Sequence, residues 1–170
     1  MIRKIASLFL IVAAVFSLLS CRSSPRDIHS LIKNLSDSFP EESGACILYA
    51  DTEQDGFTLL DGKGLGRLYI GRWEEPACFS VISEYAIRLP LDDSGFEIHA
   101  IRCVNLSDTE EISRLIRKRI DMLQNAEIKE YAPESYERYF VGAEVYVFGD
   151  TVFLLATPDN LSVKRLIRRA

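Results

Sequence analysis

Histidine is nearly missing from this chain. Its 170 residues hold two, His29 and His99, seventy positions apart. A hydrolytic nucleophile needs a base within hydrogen-bond reach. Cys103 and His99 share one face of a strand-like run, but four residues of strand separate them by about 13 Å. No catalytic residue is assigned. Cysteine is scarce too: Cys21, Cys46, Cys78 and Cys103, none in a C-x-x-C spacing. Zinc sites normally draw ligands from close pairs, so no metal site is read. Setting Cys21 aside leaves three cysteines, enough for at most one disulfide within a monomer. Buried thiols and a single disulfide both remain open. The chain lacks a P-loop, a dinucleotide G-x-G-x-x-G and an EF-hand loop, and no cofactor is expected. Basic residues are outnumbered, 20 against 25 acids, which excludes the basic footprint of a nucleic-acid binder.

Long apolar runs are absent as well, with one exception. Ile5 to Leu19 carries no charge and follows Arg3 and Lys4. Fifteen residues of helix rise roughly 22 Å, short of the ~30 Å hydrocarbon core. A basic start, a short apolar run and small residues at a cut describe a secretory signal. Leu18-Leu19-Ser20-Cys21 ends the run and resembles the bacterial lipobox. That resemblance implies a diacylated Cys21 at a new N-terminus. Two acyl chains anchor a protein stably where one does not. Residues 1–20 are therefore read as a lipoprotein signal peptide, and 21–25 as the lipidated cysteine and its tether. Residues 26–170 are read as a single domain. Removing 1–20 from 170 leaves 150 residues, long enough for a core without staples. It also removes Arg3 and Lys4, so 18 basic residues face 25 acids and the formal net charge is −7.

Ile28, Leu31, Ile32, Leu35 and Phe39 recur at helical spacing, closed by Pro40. Ala45 to Ala50 reads as a short strand. Residues 51–76 carry Gly56, Gly62, Gly64, Gly66 and Gly71 and read as turns between short extended segments. Tyr85, Ile87 and Leu89 alternate with Glu84 and Arg88. Phe96, Ile98, Ala100 and Arg102 alternate with Glu97, His99 and Ile101. Such period-two patterns argue a hairpin of half-buried strands, turning at Asp92 to Gly95. Ser107 with Glu110 fits a capping box, ahead of a helix with Ile112, Leu115, Ile116, Arg119/Ile120 and Leu123 along its stripe. Its run of Arg114, Arg117, Lys118 and Arg119 reads as a solvated face. Gly149-Asp150 sits between two apolar runs as a two-residue hairpin turn, and Asp159 or Asn160 opens a last helix. The expected fold is α+β: an antiparallel sheet built from hairpins, with an N-terminal, a middle and a C-terminal helix packed on it.

The order from the alternating strand EIHAIRCVN, through the helix EEISRLIRKRIDMLQN and the step Tyr131-Ala132-Pro133, to the hairpin VYVFGDTVFLLATPD resembles a known family. It is similar, over about residues 84–168, to the uncharacterised bacterial lipoprotein family called domain of unknown function 4358. A lipobox in front is usual there. The resemblance implies localisation and fold, and no activity. Tyr131, Tyr136, Tyr139 and Tyr146 gather near the final hairpin and are the candidate interaction surface, since tyrosine offers a ring to a partner and a hydroxyl to water. The expected protein is an extracytoplasmic lipoprotein held in the cell membrane by a diacylglyceryl on Cys21. Its expected role is that of a non-enzymatic envelope module binding another protein or an envelope component. A small-ligand-binding lipoprotein is the alternative, and a hydrolase without a legible motif the third reading.

Overall fold

The central hairpin is buried on both faces, not half-buried as its alternating pattern suggests, because helices cover the sheet on either side. β3 (Ile82–Pro90) and β4 (Glu97–Cys103) pair antiparallel, with Ile87 opposite His99 and Arg88 opposite Ile98. The computed structural model describes Pro25 and residues 27–39, 45–91 and 95–170. The expected signal peptide, the lipobox with Cys21, and most of the expected turn at Asp92 to Gly95 lie outside the described residues.

β1 (Cys46–Ala50) pairs antiparallel with β3 on its outer side. On the other side β6 (Thr151–Ala156) pairs with β4, and β5 (Glu144–Phe148) pairs with β6. The two-residue turn between β5 and β6 uses Gly149 at φ 61°, a left-handed position that glycine fills without a Cβ clash. β2 (Thr58–Leu59) lies parallel beside β1 at the sheet edge. The sheet order is β2-β1-β3-β4-β6-β5. β6 is buried along its whole length, as its continuous apolar run requires, whereas β5 is the half-exposed edge.

Side chains alternate across the sheet, and this sorts the helices into two layers. Arg88 and the in-register Ile98 face α1 (Ile28–Asp37), where Arg88 Nε donates to Ser36 Oγ at 3.1 Å. Tyr146, level with Phe153 and Ala100 on that face, accepts from Arg168 at the end of α6 (Asn160–Ile167). Glu97 and His99 point the other way, towards α2 (Gly62–Ile70) and α3 (Thr109–Leu123). The core fills both sides of the sheet, with Ile28, Ile32 and Leu35 from α1 and Ile112, Ile116 and Leu123 from α3 among its buried residues.

Four further expectations need correction. The sheet is mixed rather than antiparallel, because β1 and β2 run parallel. A two-residue strand is too short to show alternation. The described residues form six α-helices rather than three. Besides α1, α3 and α6 there are α4 (Ala126–Tyr131), α5 (Pro133–Ser135) and α2. Asn125 ends α3's run by capping α4, and Pro133 starts α5 in its first turn before a π-turn over Tyr136–Phe140. α2 occupies the glycine-rich stretch that reads as turns, since glycine is a poor helix former. Asp61 caps it by accepting from Gly64 N at 2.7 Å, and Gly71 ends it at φ 72°. The cap before α3 also moves. Asn105 N donates to Asp108 at 3.0 Å across a 3₁₀ turn, Leu106–Asp108, in place of the Ser107–Glu110 box.

Candidate functional site

Glu97 is a carboxylate on a buried face, 2% exposed, and such a group must be paired. Arg119, one turn from the end of α3, supplies the partner. Its Nε donates to Glu97 Oε2 at 3.1 Å and its Nη2 to Oε1 at 2.5 Å. Two residues along β4, His99 is fully buried. Its Nε2 lies 3.2 Å from Glu97 Oε2 without an aligned hydrogen bond, and its Nδ1 is 2.5 Å from the hydroxyl of Tyr69 on α2. The arrangement assigns the tautomer: the proton sits on Nε2, facing the carboxylate, and Tyr69 donates to Nδ1. Tyr69, His99, Glu97 and Arg119 thus tie α2, β4 and α3 together.

The titration of these groups follows their surroundings. Burial alone would raise the Glu97 carboxyl, but the Arg119 charge, the His99 contact and the Arg119 hydrogen bonds outweigh it and hold it at about 2. Burial lowers His99, with Glu97 pulling the other way, so the imidazole is neutral. Burial lifts the Tyr69 phenol well above its ordinary range. For Arg119, burial works downward and the Glu97 charge more than restores it. Tyr69 and His99 have no exposure to solvent, so neither is a group that substrate can reach. The network's chemical effect is to fix Arg119, whose side chain keeps 21% exposure.

That exposed part borders two hollows. One, about 450 Å³, lies between α2, β1 and α3, walled by Tyr49, Leu60, Leu68 and Trp73 with Arg67. The other, about 430 Å³, continues beyond α3 towards Leu91, Ile128 and Phe140. Leu89, Arg119 and Met122 line both. Together they make a groove along α3 with Arg119 at its waist, mainly apolar on the Trp73 side and mixed on the Leu91 side. Trp73 stands at one mouth, 71% exposed, and Leu91 at the other, 59% exposed. A third hollow of about 440 Å³ lies near the start of α3, where Glu74, Glu75 and Glu111 face Arg114 and Lys118. Its charges offset each other and single out no ligand. Arg88, unlike Arg119 fully buried, is stacked 3.6 Å over Phe96 and lines none of these hollows.

The tyrosines expected to form one surface are not brought together. Tyr131 is 78% exposed on α4, and Tyr136 is half-buried beneath Lys129. Tyr139 is buried beside Phe96 and Phe140. Tyr146 lies on the far face of β5, under Lys164 and Arg168. Cys21, Leu18, Leu19 and Ser20 fall outside the described residues. Cys46, Cys78 and Cys103 are free thiols. Among the described residues no group of three or more His, Cys, Asp and Glu side chains could hold a metal, and no helix is long and apolar enough to cross a membrane. Sequence reasoning missed Tyr69, Glu97, Arg119, Arg67 and Trp73. Two signals were present: Glu97 and His99 share an inward face with Ile101, and Arg119 occupies a position on α3's buried stripe. No protein-family model, curated protein or solved structure matches the chain.

Proposed function

We propose that this chain is a lipid-anchored envelope module without catalytic activity, which captures an apolar segment of another envelope protein in the groove along α3. The anchor is the diacylglyceryl on Cys21, read from the Leu18-Leu19-Ser20-Cys21 motif and the apolar run before it. The groove carries the binding half of the reading. It joins an exposed indole, Trp73, to apolar walls and a guanidinium held in place from behind. Exposed aromatic and arginine anchors around apolar pockets are what binding hot spots are made of. Arg119 spends Nε and Nη2 on Glu97, and Nη1 has no partner among the described residues. It can meet a carboxylate or carbonyl of the captured segment.

A small acidic ligand is the second reading. Each hollow falls within the 300–1,000 Å³ typical of small-molecule sites, and Arg67 and Arg119 line the same one.

A photoreactive phenylalanine analogue in place of Trp73, used in intact producing cells, tests the first reading. A single dominant crosslinked protein, lost in a folded variant carrying both Glu97→Leu and Arg119→Leu, is the expected result. An absence of any crosslinked protein, with the domain folded, sinks it in favour of the small ligand. The anchor is tested separately: Cys21→Ala is expected to release the protein from the membrane fraction or to block its processing.

A further inference from the structure

The chain enters the domain at a pinned point. Pro25 is buried, and its carbonyl accepts from Arg102 Nη2 near the end of β4. Arg102 in turn pairs with Glu84 and lies 3.6 Å from Asp150 beside the β5–β6 turn. Two apolar side chains follow at the same end of the sheet, Val104 at 56% and Leu106 at 66% exposure. Val104 is tied there by its N–H, which donates to the Val81 carbonyl at 2.9 Å.

Only four residue steps separate Cys21 from Pro25. Fully extended, they span roughly 14 Å. If Cys21 is acylated, as the proposed function holds and on which this inference rests, its Cα sits at headgroup level and the Arg102 end of the sheet cannot stand clear of the bilayer. The geometry points to that end as a membrane-seating edge, with Val104 and Leu106 dipping into the headgroup–acyl boundary of the leaflet that carries the anchor. Scattered surface apolar residues need no explanation. These two stand beside the point where the tether enters. Asp27, Asp108 and Asp150 at the edge are offset by Arg102 and, in the adjoining sequence, by Arg22 and Arg26, so an uncharged zwitterionic leaflet is the surface to test it on. Glu97 lies five residues back along β4, about 17 Å of strand. Seating therefore leaves the groove at Arg119 and Leu91 facing away from the membrane.

The test uses the full-length lipidated protein in phosphatidylcholine vesicles whose acyl chains carry bromine as a fluorescence quencher. Trp73 is the single tryptophan, so Trp73→Phe provides a silent background. Within it, Leu106→Trp reports the seating edge. Leu161→Trp, an exposed position at the first turn of α6 and the opposite end of the sheet, is the control. The expected result is blue-shifted, strongly quenched emission from Leu106→Trp and unquenched emission from Leu161→Trp. A Gly-Ser insertion of about twelve residues after Ser24 should relax the tether and restore the lost intensity. Val104→Trp reads the same edge if Leu106→Trp fails to fold. Equal emission from the two positions while the protein floats with vesicles overturns the seating and leaves the anchor standing. Absence of the acyl mass on Cys21, with loss of flotation, overturns the lipoprotein reading itself.

Discussion

Arg119 and Glu97 meet as two parallel forks, Nε to Oε2 at 3.1 Å and Nη2 to Oε1 at 2.5 Å. The carboxylate is almost wholly withdrawn from water and the guanidinium only partly so. Breaking such a buried pair from one side leaves an uncompensated charge, which typically costs about 3–5 kcal/mol. Replacing both partners by apolar groups is often neutral. Arg119→Leu should therefore lower the urea midpoint sharply, and Glu97→Leu added to it should recover much of the loss. A double variant no more stable than Arg119→Leu alone would show that the groove's packing, rather than the stranded Glu97, was the cause.

Stability should fall with pH in two limbs. Burial holds His99 below its ordinary value of 6.5. The unfolded imidazole takes a proton that the folded one refuses, so this contribution is present above about pH 6.5 and is lost as pH drops below it. Glu97, held at about 2 against an ordinary 4.5, adds a second loss as pH falls from its unfolded value towards its folded one. One proton taken up on unfolding gives a slope of roughly 1.4 kcal/mol per pH unit. His99→Gln should flatten the first limb in a pH series of urea melts and leave the part of the second that Arg119 supplies. A flat wild-type profile between pH 7 and 5 would contradict the neutral buried imidazole.

Two glycines of α2 should respond differently to one methyl group. A Cβ on Gly66 would lie 1.6 Å from the Glu74 carbonyl oxygen, a backbone atom that cannot step aside. Gly66→Ala is expected to cost about 1–3 kcal/mol or more through overpacking. On Gly64 the nearest atom, at 2.5 Å, is the Leu60 Cδ1 methyl at the end of a flexible side chain. The helix gain of up to about 1 kcal/mol then offsets most of the clash. Thermal melts of the two variants should separate by several degrees, Gly66→Ala the lower.

The cysteines should label in order of access. Burial pushes the Cys103 thiol up to about 12 and raises Cys78 as well, while both are nearly sealed from solvent. Cys46, at the start of β1, is half-exposed. A maleimide pulse on the native protein should modify Cys46 first and reach Cys78 and Cys103 only on unfolding, as read by peptide mass spectrometry. Rapid native labelling of Cys103 would contradict the packing at the end of β4.

The elements that read directly from the sequence are those whose pattern and burial agree. Tyr85, Ile87 and Leu89 mark β3 as a strand by their alternation, although Ala86 and Arg88 on its other side are buried as well, and Gly149-Asp150 marks its turn because the glycine takes a positive φ. α2 was hidden because three glycines weaken any helical signal, and their purpose, the close approach of Gly66 to Glu74, is a tertiary fact. The parallel β1–β2 pair was hidden because Thr58 and Leu59 are too few to form a pattern. Of the site, Glu97 and His99 were visible as polar residues on an inward face. Arg119 reads both as part of a solvated basic run and as a position on α3's buried stripe, and the sequence alone does not choose between them. Its partner lies 22 residues away on another element.

β6 is the last strand to be made and the most deeply enclosed, wedged between β4 and β5 near the end of the chain. During synthesis the central gap in the sheet stays open until the chain has passed Ala156. Pairing of β4 with β6 spans about fifty residues of intervening chain, a non-local closure that slows folding. Until then β4 presents a bare hydrogen-bonding edge flanked by apolar side chains, a template for aggregation. A chain terminated between Cys103 and Thr151 would carry that edge permanently, so nonsense truncations that late in the sequence should still be damaging to solubility.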